Sequence, residues 1–101
     1  MIIYNITFFV DNSVAADAIE AIISKIVPAA ERAGLKPYFV AEVGGECEPG
    51  ITRYAMHLQA RSMEQAQAWT ESCDELAALV NEAGSGKIMF FGSFLHPLAI
   101  F

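Results

Sequence analysis

Near neutral pH the acid–base capacity of this chain rests on two histidines, because an unperturbed imidazole titrates at about pH 6.5. His57 lies in the run Arg53-Tyr-Ala-Met-His-Leu-Gln59, where alternation sets it on one strand face with Arg53, Ala55 and Gln59. His96 sits beside Pro97 near the end of the sequence, where an imidazole in a subunit contact is the expected role. If pairing of strands brings Asn5 or Thr7 beside His57, either side chain can fix the imidazole tautomer and ready it to accept or donate a proton. The same groups suit a bound small molecule. Asn5, Thr7, Arg53, His57 and Gln59 are candidate polar contacts within apolar surroundings, with Tyr38 at a rim and Phe94 as an aromatic surface. The competing role for all of them is hydrogen bonding between subunits.

Other chemistries fail on spacing or context. Neither histidine has a neighbour at metal-ligand spacing, no Gly-x-Ser-x-Gly occurs, and no cysteine has an evident histidine partner, so neither a metal nor a covalent nucleophile is expected. Gly84-Ser85-Gly86-Lys87 echoes the end of a phosphate-binding loop, but it leads from helix to strand and Ile88 follows the lysine. Asn5-Ile6-Thr7 matches a glycosylation acceptor but lies inside a strand. Glu42, Glu46 and Glu48 lack the oxygen-ligand spacing of a calcium loop and read as a solvated acidic loop around Cys47. Cys47 and Cys73 form no CxxC pair and read as reduced thiols. No cofactor is implied.

The elements that position these residues follow from periodicity. Ile2 to Val10 alternates as a strand, with Tyr4, Ile6, Phe8 and Val10 as its uniformly apolar row. Asp11, Asn12 and Ser13 then offer capping oxygens to a helix whose apolar residues, Ile19, Ile22, Ile23, Ile26, Ala30 and Ala33, recur at helical spacing. Pro28 should kink that helix about a turn earlier, and Gly34 should end it. Lys36 to Val43 reads as a second strand, residues 44–50 as a loop, and Ile51 to Ala60 as a third strand. Ser62 and Gln65 have the spacing of a capping box at the start of a second helix, with Ala66, Trp69, Cys73, Leu76, Ala77 and Val80 as its stripe. A last strand runs from Ile88 to about Leu95, and Pro97 limits further pairing.

The order β-α-β-β-α-β is that of a ferredoxin-like α+β domain, in which a four-stranded antiparallel sheet carries two helices on one face and the first and third strands are central. One domain is expected to span residues 1–101. Taking the more apolar row of each strand as helix-facing places Phe39, Ala41, Tyr54, Met56, Leu58, Met89 and Phe91 under the helices with Tyr4, Ile6 and Phe8. The open face then holds Ile3, Asn5, Thr7, Phe9, Tyr38, Val40, Glu42, Arg53, Ala55, His57, Gln59, Phe90, Gly92, Phe94 and His96. Gly92 there is expected to make room for packing.

Composition bears on partners. With 54% hydrophobic and 18% charged residues the chain has ample apolar surface for a core and a surplus suited to burial between subunits, so a homodimer is expected. A formal charge of −6, with six scattered basic residues, argues against nucleic acid and against an anionic membrane surface. No apolar run approaches the roughly 20 residues of a membrane helix, and no signal peptide opens the sequence, so a cytoplasmic location is expected.

MIIYNIT at the start, IVPAAERAGL around Pro28, the strand RYAMHLQARS and the late GSGKIMFFGSFL together resemble the bacterial domain of unknown function 4286 family over nearly the whole chain. The resemblance implies membership of the dimeric α/β barrel superfamily, which includes antibiotic-biosynthesis monooxygenases and muconolactone isomerases. Its relatives often carry a His just before the Ile-Pro of the first helix, a place held here by Ile26. The expectation is a homodimer of unknown function whose paired open faces hold a small apolar or aromatic molecule. Two alternatives stand beside it. One is a cofactor-independent monooxygenase- or isomerase-like enzyme with His57 as acid or base; the other is a structural or interaction module without a ligand.

Overall fold

Ile2–Asp11 form strand β1, whose even-numbered side chains from Tyr4 to Val10 are buried and whose odd-numbered side chains from Asn5 to Phe9 are half-buried on the other side. The computed structural model describes residues 2–45, 48–84 and 86–101; Glu46, Cys47 and Ser85, on which the acidic-loop and Gly-Ser-Gly-Lys expectations bear, lie outside them. A 3-10 turn (Asn12–Val14) leads into α1 (Ala15–Ala21), a π-helical turn (Ile22–Ile26) and α2 (Val27–Arg32). Then come β2 (Lys36–Glu42), β3 (Ile51–Ala60), α3 (Met63–Ser72), α4 (Asp74–Glu82) and β4 (Ile88–Leu95). The sheet order is β2-β3-β1-β4 and each neighbouring pair is antiparallel, so β1 and β3 are central as expected.

The first helical segment absorbs its proline without a sharp break. Pro28 has no N–H to donate and its ring crowds the carbonyl of Ser24. The backbone widens ahead of it, and the Val27 N–H reaches back five residues to the Ile22 carbonyl. Gly34 ends the segment at φ +87, with the Gly34 N–H on the Glu31 carbonyl at 3.0 Å and the Leu35 N–H on the Ala30 carbonyl at 3.0 Å.

The second segment is broken where one continuous helix was expected. Ser62 caps it by accepting the Gln65 N–H at 3.1 Å, while the Gln65 side chain accepts the Arg61 N–H at 2.8 Å. Thr70 and Ser72 donate their hydroxyls to the carbonyls of Ala66 and Ala68 at 2.9 and 2.8 Å, an alternative to regular helical bonding. Cys73 is extended at φ −77, ψ 106, and α4 restarts behind it with Asp74 and Glu75 in its first turn.

Between the helices and one sheet face lies a single apolar cluster that includes Ile6, Phe8, Val10, Ile22, Ile26, Met56, Leu58 and Leu76, all essentially inaccessible. The two central strands are oriented as alternation predicted. The edge strands are not. In β2 the register shifts between Pro37 and Phe39, so Phe39 pairs with His57 and Ala41 with Ala55 on the open face, while Val40 and Glu42 pair with Met56 and Tyr54 on the helix side. The irregularity at Tyr38 moves the alternation by one residue, which reverses every side chain beyond it. In β4, Met89 and Phe91 pair with Phe9 and Thr7 on the open face, whereas Phe90, Gly92 and Phe94 pair with Phe8, Ile6 and Tyr4 toward the helices. Both rows of β4 are apolar, so composition offered no contrast by which to orient it.

Candidate functional site

Asn5 is the hub of the open face. Its Nδ2 donates to Thr7 Oγ1 at 3.1 Å and to Ser93 Oγ at 3.2 Å, which draws three half-buried polar side chains from β1 and β4 into one row. Ser93 was missed by sequence reasoning because the β4 rows were exchanged; its place opposite Asn5 in the ladder is the signal that finds it. Phe9 and Phe91 stack at 5.4 Å on the same face.

Across the sheet, His57 faces Asn5 in the β1–β3 register and lies against the Phe39 ring at a centroid distance of 4.4 Å. Partial burial in this setting lowers the imidazole pKa below its usual 6.5. Among the described residues neither Asn5 nor Thr7 hydrogen-bonds to His57, so the proposed fixing of its tautomer is not made within one chain. The Tyr38 hydroxyl donates to Gln59 Oε1 at 3.0 Å, which places both at the β2 edge of the face. Arg53 Nη2 donates to the Gly44 carbonyl at 3.2 Å and so is turned toward the β2–β3 loop. Phe94 is not on this face. It stacks on Tyr4 at 5.0 Å on the helix side, which corrects its placement as an open-face aromatic surface. The sequence candidates thus resolve into the Asn5–Thr7 row with Ser93, the His57–Phe39 pair, and the Tyr38–Gln59 pair, with Arg53 apart.

Around these polar groups the face is apolar. Phe39, Met89 and Phe91 are 49%, 63% and 57% exposed, and Leu95 is exposed beside them. The exchanged edge rows make the open face more hydrophobic than alternation had indicated. Concavities lie among the helices. One, of about 490 Å³, runs between α1 and α4 past Ala18, Ala21 and Leu79; another, of about 250 Å³, lies beside Trp69 and Cys73. Burial pushes the Cys73 thiol up, so this sulfur stays protonated near neutral pH and is a poor nucleophile. Among the described residues no three His, Cys, Asp or Glu side chains are grouped to hold a metal ion, and no helix is long and apolar enough to cross a membrane.

The neutral state favoured at His57 has a measurable consequence. Its folded pKa is depressed, so protonation favours unfolding. This contribution is intact above the unfolded pKa of about 6.5 and is lost progressively as pH falls through the lower folded value. His57→Gln is expected to flatten the fall in stability below pH 6.5, as followed by urea unfolding at several pH values. An unchanged slope in that variant would show that the imidazole titrates as freely in the folded chain as in the unfolded one.

Comparison with known proteins agrees with this architecture. A family model described as a domain of unknown function (DUF4286) matches residues 1–98. No curated protein sequence matches the chain. Among solved structures, the de novo designed protein Foldit4 aligns with a TM-score of 0.61 at 9% identity, covering 95% of this chain and 97% of that one. A Caulobacter crescentus CB15 protein assigned to antibiotic biosynthesis monooxygenases aligns at 0.55 and 16% identity, covering 97% and 91%. A dimeric ferredoxin-like protein from an uncultured marine organism aligns at 0.55 and 10% identity, covering 99% and 98%. At such identities these likenesses establish the fold, which is ferredoxin-like.

Proposed function

Because the chain belongs to the DUF4286 family, whose description specifies no reaction, we propose from its own geometry that it is a homodimeric small-molecule-binding domain in which two open sheet faces meet. The observation that carries this reading is the hydrogen-bonded row Asn5–Thr7–Ser93 set within exposed Phe39, Met89, Phe91 and Leu95. Apolar surface of this kind, left in water, forgoes about 25 cal/mol for every Å² that pairing would remove. A second copy covers it with the same chemistry, as a two-fold interface requires. The structural neighbour described as dimeric supports the assembly. Between the faces, the polar row and the His57–Phe39 pair offer hydrogen bonds and ring surfaces to a small, mostly apolar or aromatic molecule.

A second reading rests on the placement of His57, whose imidazole lies on the open face in register with Asn5 and against the Phe39 ring, where a neutral imidazole can take a proton. In that reading the paired open faces perform cofactor-independent acid–base chemistry of the monooxygenase or isomerase sort. His57→Gln would then abolish turnover of a bound molecule while leaving its binding within a few-fold.

Ala55 lies in the middle of the open face, between His57 and Arg53 on β3. Ala55→Glu sets two like charges into the apposed faces and is expected to weaken their association by roughly tenfold or more, about 1.4 kcal/mol. Sedimentation velocity at micromolar concentration should show the variant with half as many copies per particle as the wild type. A wild-type monomer, or an unchanged particle in the variant, would overturn the pairing of faces. Native mass spectrometry of the purified protein tests the ligand: a non-covalent adduct diminished by Asn5→Leu supports binding. A dimer without any adduct would favour an interaction module filled by its twin.

A further inference from the structure

We propose that the outer edge of β4 is a second interaction surface, joining antiparallel to β4 of another copy of this chain. This goes beyond the pairing of faces, which leaves both sheet edges unaddressed.

The two edges of the sheet are built differently. β2 carries Lys36 and Glu42 at its ends, Pro37 within it and a register shift between Pro37 and Phe39, all of which obstruct addition of a strand. β4 has none of these. Its sequence, IMFFGSFL, contains no charged residue and no proline, and its ladder with β1 runs unbroken from Ile88 opposite Val10 to Leu95 opposite Ile3.

The direction of its backbone groups follows from the hydrogen bonds at the strand ends. The Asp11 N–H donates to the carbonyl of Lys87, its opposite residue, at 2.8 Å, which marks that position as a hydrogen-bonded pair. Alternation then turns the N–H and C=O groups of Met89, Phe91, Ser93 and Leu95 toward β1, and those of Ile88, Phe90, Gly92 and Phe94 outward. The other side of β1 agrees, since the Asn12 N–H donates to the Gly50 carbonyl at 2.9 Å and assigns the even-numbered residues of β1 to β3. Among the described residues no element bonds to the outward groups of β4. Gly92 in the middle is exposed and has no side chain to screen its backbone.

A second β4 fits this edge better than any other described segment. Pairing Phe90 of one copy with Gly92 of the other, and Ile88 with Phe94, uses every outward group on both strands. Two copies of a chain of charge −6 repel one another, and β4 is a surface along which neither brings a charge. The flanking Lys87 residues fall at opposite ends of the joint, about 26 Å apart for eight residues at about 3.3 Å each. The joint also closes. Once both β4 edges are used, the guarded β2 edges remain outside, so addition of strands along the sheet stops at two sheets side by side.

Backbone amide exchange tests this directly, followed by NMR on the ¹⁵N-labelled full chain over a dilution series with sedimentation run in parallel. As assembly rises, the amides of Phe90, Gly92 and Phe94 are expected to slow by roughly tenfold or more, joining those of Met89, Phe91 and Ser93. Amides of Phe90, Gly92 and Phe94 that exchange freely when assembly is complete would overturn the proposal. Face-to-face stacking alone produces that second result, because it covers side chains and not the strand edge. In Ala55→Glu, concentration-dependent protection of the same three amides isolates the edge from the face, so either contact can fail without the other.

Discussion

Gly92→Ala is expected to lower the free energy of unfolding by about 3 kcal/mol, read as a fall in the urea midpoint at an unchanged slope. A Cβ at this position meets the Tyr4 ring, with Cε1 at 2.5 Å, Cζ at 2.7 Å and the hydroxyl closer still. Tyr4 has little room to retreat. It is buried, its hydroxyl is hydrogen-bonded to Thr70 Oγ1 at 2.8 Å, and its ring stacks on Phe94. Moving the ring sacrifices these contacts, and leaving it in place bends β4 away from β1. A double-mutant cycle separates this account from a general weakness of alanine in the strand. Tyr4→Phe removes the hydroxyl but keeps both ring carbons, so it relieves the clash only in part. Tyr4→Leu removes them, so the added cost of Gly92→Ala in that background should fall below about 1 kcal/mol. An equal cost in both backgrounds would rule out the ring as its cause.

The same contact explains how far the fold could be read from residues alone. β1 and β3 have one uniformly apolar row and one mixed row, so burial of a single face orients them without ambiguity. Met89, Phe90, Phe91 and Phe94 give β4 no such contrast. The residue that orients it is Gly92, through a tyrosine distant in sequence. Caps and helix ends depend on neighbours within a few positions. Ser62, Gln65 and Gly34 therefore behave as their types predict. Cys73 and Tyr38 do not, because a helix break and a bulge each depend on competing backbone bonds that a pattern of residue types does not display.

The candidate site was legible to the same extent. Asn5, Thr7, His57 and Gln59 belong to the central strands and were placed on the open face correctly. Ser93 was lost and Phe94 wrongly added by one reversal, that of β4. The reversal also has chemical weight. Phe39 and Phe91 now stand on the open face, one against His57 and the other against Phe9. The polar row is thus flanked by aromatic surface on both sides.

Ile26→His bears on the place where the family resemblance and this sequence part, and its expected cost is about 3 kcal/mol at pH 8. Ile26 closes the π-helical turn and is fully buried, and among the described residues no polar or charged side chain is buried. An imidazole there exchanges apolar atoms for two nitrogens without partners, in a space of similar size. The penalty is one of polarity more than of volume. Acid enlarges it. Burial opposes protonation in the folded state, while the unfolded chain binds its proton near pH 6.5. Below that pH the variant should lose a further 1.4 kcal/mol or so per pH unit relative to wild type, until the folded pKa is reached. Referring it to wild type removes the contribution of His57, which has the same sign. Urea unfolding at pH 8, 6 and 5 measures both effects. A variant as stable as wild type at pH 8, with no added acid sensitivity, would mean that the widened turn before Pro28 admits water, and Ile26 could then no longer be treated as sealed within the core.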